Sequence, residues 1–227
     1  SHPIGLPADA DATIAAHEVH PGAAVDQFPG SRGVRTGGPL AFTPRLWATG
    51  AGGCLRALPG GRFGLLTGLF NRRYFDEHAS RLYAEAVRYG QPLTLVIADL
   101  DRFKQINDQL SHAVGDEVLR VVARILQENI RESDLVARYG GEEFVIAFSH
   151  ATGSQSYQLA ERLRVLIEAH PWHEIHPDLR VTTSMGLCAD LTQGGFEQML
   201  SVADANLYHA KSSGRNRVCS GSEVVAA

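Results

Sequence analysis

Glycine and proline are divided so unevenly along this 227-residue chain that only part of it can build a core. Residues 1–64 hold 19 of the 33 glycines and prolines, and the remaining 163 positions hold the other 14. Such a stretch carries a heavy backbone-entropy cost and has few periodic apolar positions with which to offset it. Residues 1–64 therefore read as a tail or linker with little independent packing. Residues 65–220 read as the folded domain, and residues 221–227 as a short C-terminal tail. A composition of 44% hydrophobic and 20% charged residues excludes collagenous and wholly disordered chains. The net charge of -4 argues against a broad nucleic-acid-binding surface, which needs basic excess. No apolar run reaches the roughly 18 residues of a membrane span, and the first residues lack the charged-then-apolar order of a signal peptide. Cys54, Cys188 and Cys219 have no CxxC spacing, so neither a disulfide framework nor a zinc site is expected. The expected location is the cytoplasm.

From Leu65 onward helical and strand patterns alternate. Asn71 to Tyr89 has apolar residues near helical spacing and ends at Gly90-Gln91-Pro92. Leu93 to Ala98 reads as a buried strand, followed by a short helix over Lys104 to Gln109 and a longer one over Val114 to Ile130. Leu135 to Tyr139 and Glu142 to Phe148 read as a hairpin joined by a two-residue Gly140-Gly141 turn. Helix, strand, helix and strand complete the pattern over Gln155 to Ala169, Arg180 to Cys188, Phe196 to Lys211 and Arg217 to Ser220. The helices are amphipathic, with Tyr157, Leu159, Leu163 and Leu166, and likewise Phe196, Leu200 and Leu207, assigned to the core.

Two acidic clusters carry the chemical signal. Asp99 and Asp101 stand where the buried strand ends, and strand periodicity points both carboxylates to one face. Glu142 and Glu143 follow the Gly-Gly turn, whose glycines are expected to supply positive φ and leave room for a ligand. If the hairpin neighbours the first strand in one sheet, three or four carboxylates converge. Two like charges about 4 Å apart cost on the order of 4 kcal/mol at an effective dielectric of 20, and a divalent cation removes that cost. Hard oxygen ligands without His or Cys indicate Mg²⁺ or Mn²⁺. Isolated, such an Asp-x-Asp is more often a pair of solvated loop charges, and it is the hairpin that shifts the balance.

Lysine usage is a second signal, because the chain has 19 arginines and only two lysines, Lys104 and Lys211. Each falls inside a constellation: Lys104 five residues after Asp99, and Lys211 one turn before Arg215 at the end of the last helix. A compact ammonium acts as a point charge on a phosphoryl oxygen, although Lys211 and Arg215 also suit a helix C-terminus. Together, the acidic clusters and these cations form the pattern of a metal and triphosphate site, where a protein mainly positions groups and neutralises charge.

Five segments, in order, closely resemble the GGDEF-domain diguanylate cyclases in their GGEEF form. They are Leu66-Thr-Gly-Leu-Phe-Asn-Arg-Arg73, Asp99-Leu-Asp-Arg-Phe-Lys-Gln-Ile-Asn-Asp108, His112-Ala-Val-Gly-Asp116, Arg138-Tyr-Gly-Gly-Glu-Glu-Phe144 and Ala203-Asp-Ala-Asn-Leu-Tyr-His-Ala-Lys-Ser-Ser-Gly-Arg-Asn216. The resemblance implies an α/β (α+β) fold with a five-stranded, mostly antiparallel central sheet flanked by helices, like the catalytic domain of adenylyl cyclases. It implies condensation of two GTP into cyclic di-GMP and two pyrophosphates, with two Mg²⁺ or Mn²⁺ ions per active site and a homodimer as the catalytic unit. By the same resemblance Asp99, the Leu100 carbonyl and Glu142 hold the metal, with Glu143 beside them, and Glu142 accepts the proton of the attacking 3′-hydroxyl. Asn107, His112, Asp116, Phe103, Gly140 and Gly141 fall on substrate positions, and Lys104, Lys211 and Arg215 on the triphosphate. An Asp carboxylate accepts both donors on the Watson–Crick edge of guanine, which gives Asp116 a physical basis for selecting guanine over adenine.

Arg131 and Asp134 match the RxxD pair of the family's inhibitory product site, and Arg162 matches a further arginine of it. A more distant arginine found in some members is replaced here by Glu85. Ser111 stands where the family commonly has Gly before the His; if that position needs positive φ, Ser costs about 1–2 kcal/mol. The rival reading is an inactive relative that senses GTP or cyclic di-GMP, marked by a damaged carboxylate set; relaxed purine choice is a third. An input domain is missing or unrecognised in residues 1–64. His170, His173 and His176 have metal-like spacing, but Pro171 and Pro177 break any helix that would align them, so a surface loop is expected there.

Overall fold

A computed structural model describes residues 61–221, and the tail expected over residues 1–60 and 222–227 lies outside the described residues. Residues 61–64, read from the sequence with the tail, pack on the domain: Asn71 N–H donates to Arg62 C=O (2.9 Å), and Phe63 and Phe70 form an antiparallel bridge. The elements are β1 (Phe70–Asn71), α1 (Arg72–Tyr89), β2 (Leu93–Leu100), α2 (Phe103–Gln109), α3 (His112–Glu128), β3 (Leu135–Arg138), β4 (Glu143–Ser149), α4 (Gly153–Glu168), β5 (Thr183–Cys188), α5 (Phe196–Ser212) and β6 (Val218–Ser220), with 3-10 turns at Trp172–Glu174 and Leu191–Gln193. No described helix is long and apolar enough to cross a membrane.

The sheet has six strands rather than the expected five, in the order β1-β3-β4-β2-β5-β6. The extra member is the two-residue β1, parallel to β3, too short to leave a periodic signal. The three central pairings are antiparallel, and both outer ones, β1–β3 and β5–β6, are parallel. All eight residues of β2 are buried, because helices cover both faces of the sheet. Leu95 and Ile97 face the cluster built with Phe75 of α1 and Met199 and Leu207 of α5. Val96, Ala98 and Leu100 face the opposite cluster, with Val118 and Val122 of α3 and Leu163 of α4. The strand thus alternates between two cores while reading as one apolar run.

Local chemistry sets the helix ends. Asn71 accepts from Tyr74 N–H at 3.0 Å to cap α1, which Gly90 closes at φ 63°. Thr152 and Gln155 form a capping box on α4. Ser111 caps α3, accepting from Val114 N–H, and its φ of 144° and ψ of 163° lie in a region that is essentially glycine's. The strain anticipated at this position is present, and the cap offsets part of it. Because Gly is only a few tenths of a kcal/mol poorer than Ser as a cap, Ser111→Gly is expected to stabilise the domain by about 1 kcal/mol, raising Tm by about 3 °C in a thermal melt.

Candidate active site

The acidic clusters meet because β4 lies next to β2. Asp99 is in register with Glu143, and the next residue, Leu100, donates its N–H to the Glu142 carbonyl at 3.3 Å. Asp99 is 5% exposed. Lys211, reaching from the last turn of α5, places its Nζ 2.9 Å from Asp99 Oδ2. Burial raises the Asp99 pKa above the usual carboxylate range, against the Lys211 hydrogen bond and charge, which lower it; Glu143 and Asp101 raise it further. Glu142 is shifted upward too, by burial first and then by the negative charge of Asp99. The result is three carboxylates around one ammonium.

Asp101 does not join them. β2 ends at Leu100, so strand periodicity no longer governs the next side chain, and Asp101 turns toward β5. It accepts from Ser184 Oγ (2.7 Å), Thr182 Oγ1 (2.7 Å) and Asn216 N–H (3.0 Å), anchoring the segment beyond α5 to the end of β2. Among the described residues no three His, Cys, Asp or Glu side chains are grouped so as to hold a metal ion on their own. A set of two carboxylates and one carbonyl, those of Asp99, Glu142 and Leu100, remains. Its donors are hard oxygens with the negative charge a divalent cation requires, and the Leu100–Glu142 backbone bond holds two of the three residues together, so the chemistry of the set fits Mg²⁺ or Mn²⁺.

The turn between β3 and β4 differs from the two-residue hairpin expected. The strands are joined by Tyr139–Glu142, with Tyr139 N–H donating to Glu143 C=O at 2.8 Å, and neither Gly140 nor Gly141 has positive φ. Only the first of the two glycines is crowded. A Cβ on Gly140 would stand 2.5 Å from Glu143 Oε2, whereas Gly141 faces open space. Residues that the sequence did not single out stiffen this turn. Arg138 forks onto the Gly141 carbonyl through Nε (3.1 Å) and a terminal nitrogen (2.6 Å). The Tyr139 hydroxyl donates to Asp76 (3.0 Å), and the Arg72 guanidinium lies 4.5 Å from the Tyr139 ring centre. One arginine among 19 carries no mark of such a role.

On the helical side, Gly115 is the surface against which Asn107 lies. A Cβ there would overlap the Asn107 amide oxygen and stand 3.2 Å from Phe103 Cζ. This contact packs Asn107 of α2 against the turn of α3 that carries Asp116. Phe103, expected at the substrate, is 5% exposed in the core, and its ring supports this contact from below. His112 opens α3 and is exposed. Gly115→Ala is expected to leave Tm nearly unchanged, since Ala favours helix, while displacing the Asn107 amide; a melt and a structure of the variant check this. Lys104 lies in the first turn of α2, where the helix dipole disfavours a cation, so the helix itself gives no reason for its charge. Arg215 follows α5 at φ 65° and is exposed.

The RxxD residues form a turn. Asp134 accepts from Arg131 N–H (3.0 Å) and Ser149 N–H (3.1 Å), so both of its oxygens are held by backbone, while Arg131 is exposed. Arg162 donates to Asn129 Oδ1 at 3.0 Å, two residues before Arg131. The histidine segment is a 3-10 turn anchored by buried Trp172, with His170 edge-on to the indole.

A family model described as "Diguanylate cyclase, GGDEF domain" matches residues 65–217. The chain belongs to the GGDEF family. It is 39% identical over 155 residues to the diguanylate cyclase DosC of Escherichia coli K12, covering 68% of this chain and 34% of DosC. It is 42% identical over 156 residues to the response regulator PleD of Caulobacter vibrioides, covering 67% of this chain and 34% of PleD. The matched region thus spans about a third of these relatives. Among solved structures, the GGDEF domain of DgcB from Caulobacter crescentus, in complex with c-di-GMP, matches with a TM-score of 0.65 at 32% identity, covering 70% of this chain and 95% of that one. The active GGEEF domain of a diguanylate cyclase from Vibrio cholerae matches with a TM-score of 0.63 at 33% identity, over 66% and 96%. The GGDEF fold is therefore the α/β architecture described above.

Proposed function

We propose that this domain is a diguanylate cyclase that condenses two GTP into cyclic di-GMP and two pyrophosphates, one GTP from each of two facing chains. The observation that carries the reading is the convergence of Asp99, Glu142, Glu143 and Lys211 where β2 meets the β3–β4 turn, in a chain of this family. Asn107 and Asp116 bind guanine, and Lys104, Lys211 and Arg215 neutralise the triphosphate. Asp99, the Leu100 carbonyl and Glu142 would hold Mg²⁺ or Mn²⁺, two ions per site, which would supply charge neutralisation at the α-phosphate and a lowered pKa for the attacking hydroxyl. The 3′-oxygen of one GTP bonds to the α-phosphorus of the other, the bond to the bridging oxygen breaks, and pyrophosphate leaves with that electron pair. Glu142 takes the hydroxyl proton, a role that suits a carboxylate whose pKa is raised by burial and by the Asp99 charge.

Because each chain supplies one GTP, specific activity is expected to rise with protein concentration. Product inhibition acts through Arg131, Asp134 and Arg162. Arg131→Ala removes a guanidinium but keeps the backbone N–H that holds Asp134, so inhibition by cyclic di-GMP is expected to weaken about tenfold or more with Tm unchanged. Incubation with GTP and Mg²⁺, followed by nucleotide analysis, tests both statements. Nucleotide bound without any product at high protein concentration would replace the cyclase by a GTP or cyclic di-GMP sensor.

A further inference from the structure

Three arginines from three separate segments line one cavity of about 420 Å³: Arg102 between β2 and α2, Arg180 on the stretch entering β5, and Arg215 beyond α5. Two carboxylates, those of Asp101 and Asp178, line it as well. Asp101 is already committed to the Thr182 and Ser184 hydroxyls and the Asn216 N–H. Among the described residues, none of the three guanidiniums forms an ion pair with a carboxylate. The donors to Asp101 are neutral and leave its charge in place, so the lining carries three positive and two negative charges, a local excess of one positive charge in a chain whose net charge is -4. The three guanidiniums are exposed and unpaired, and the positive excess they leave around one cavity favours a bound anion there.

Backbone strain falls in the same place. Five described non-glycine residues have positive φ, and three of them line this cavity: Arg102 (56°), Arg215 (65°) and Asn216 (47°). Asparagine tolerates this region, but a long side chain such as Arg enters it only where the surroundings hold it there, as at ligand clamps. Charge and strain therefore converge on one hollow that the catalytic and inhibitory residue sets do not include, apart from the shared Arg215.

We propose that this cavity is a pyrophosphate site, which receives the leaving group as it departs from the triphosphate residues. The anion site rests on the arginines; the identity of its occupant rests on the cyclase reading above. Forked guanidiniums match the paired terminal oxygens of a diphosphate. Arg215, common to both sets, joins this cavity to the proposed position of the substrate phosphates. Arg102 and Arg180 are the residues this proposal adds.

The test is calorimetric titration of the full chain with inorganic pyrophosphate at low salt, without GTP, in wild type, Arg180→Gln, Arg102→Gln and Arg180→Lys. The Gln variants are expected to weaken binding about tenfold each, with Arg180→Lys in between. In cyclase assays with Arg180→Gln, the inhibition constant of added pyrophosphate is expected to rise about tenfold while KM for GTP rises by far less. Equal pyrophosphate affinity in wild type and Arg180→Gln overturns the proposal. So does orthophosphate binding as tightly as pyrophosphate, which would mark a generic phosphate site, or a rise in KM for GTP that matches the loss of pyrophosphate binding, which would assign the cavity to the substrate. Arg180-dependent pyrophosphate binding in a protein that makes no cyclic di-GMP supports the anion site and overturns the cyclase reading instead.

Discussion

Glu142→Gln is expected to lower the rate of cyclic di-GMP formation about 1,000-fold while leaving Tm equal to that of wild type or above it. The two effects have opposite signs for one reason. The Glu142 side chain adds negative charge to a group that already contains Asp99 and Glu143 against the single ammonium of Lys211, and burial and Asp99 both hold its pKa up. Its ionised form is a cost to the folded protein, retained for chemistry. The amide keeps the shape and leaves the Glu142 backbone carbonyl bonded to Leu100 N–H. It removes the proton acceptor, worth roughly 10²–10⁴ in rate, and one metal-binding carboxylate as well. Nucleotide analysis and a melt on the same preparation are decisive. Retained activity would remove Glu142 from the chemistry, and lost activity with a lowered Tm would make it a structural residue.

How far the site could be read in advance depended on whether a residue's partner lay nearby in sequence. Asp99 and the Glu142–Glu143 pair stood out because each cluster sits at a strand end, and one antiparallel register between β2 and β4 brings them together. Lys211 stood out because lysine is scarce in this chain, but its bond to Asp99 spans 112 positions and was invisible. Asp101 was misplaced by one step of periodicity, since the strand it was counted on ends at Leu100. The glycine turn was expected to require positive φ, the usual reason for paired glycines; here neither glycine has it, and a Cβ on Gly140 would only push the Glu143 carboxylate from its place. β1 escaped notice because two residues carry no period, yet its pairing with Ala137 and Arg138 positions the strand end from which the turn departs.

Gly186 is the residue with the largest consequence and the least signal. It lies inside the β5 pattern with nothing to distinguish it from a weakened strand position. In the structure its missing Cβ is what lets α5 lie directly on β5: a methyl there would overlap the Ala203 carbonyl, the Leu207 N–H and the Asn206 carbonyl carbon, all of them helix backbone. A backbone cannot rotate aside as a side chain can, so α5 must lift off the sheet. Its Met199 and Leu207, buried against β2, would loosen with it. Gly186→Ala is expected to cost about 3 kcal/mol, the upper end of ordinary overpacking, and to lower Tm by about 10 °C. Lys211 sits in the last turn of the same helix, so moving α5 also carries the ammonium away from Asp99, and cyclase activity should fall even at temperatures where the variant is fully folded. Gly141→Ala is the control, because a Cβ at Gly141 meets open space. A Tm within about 2 °C of wild type for Gly186→Ala would show that α5 does not need this close approach, and would separate the position of Lys211 from the packing of β5.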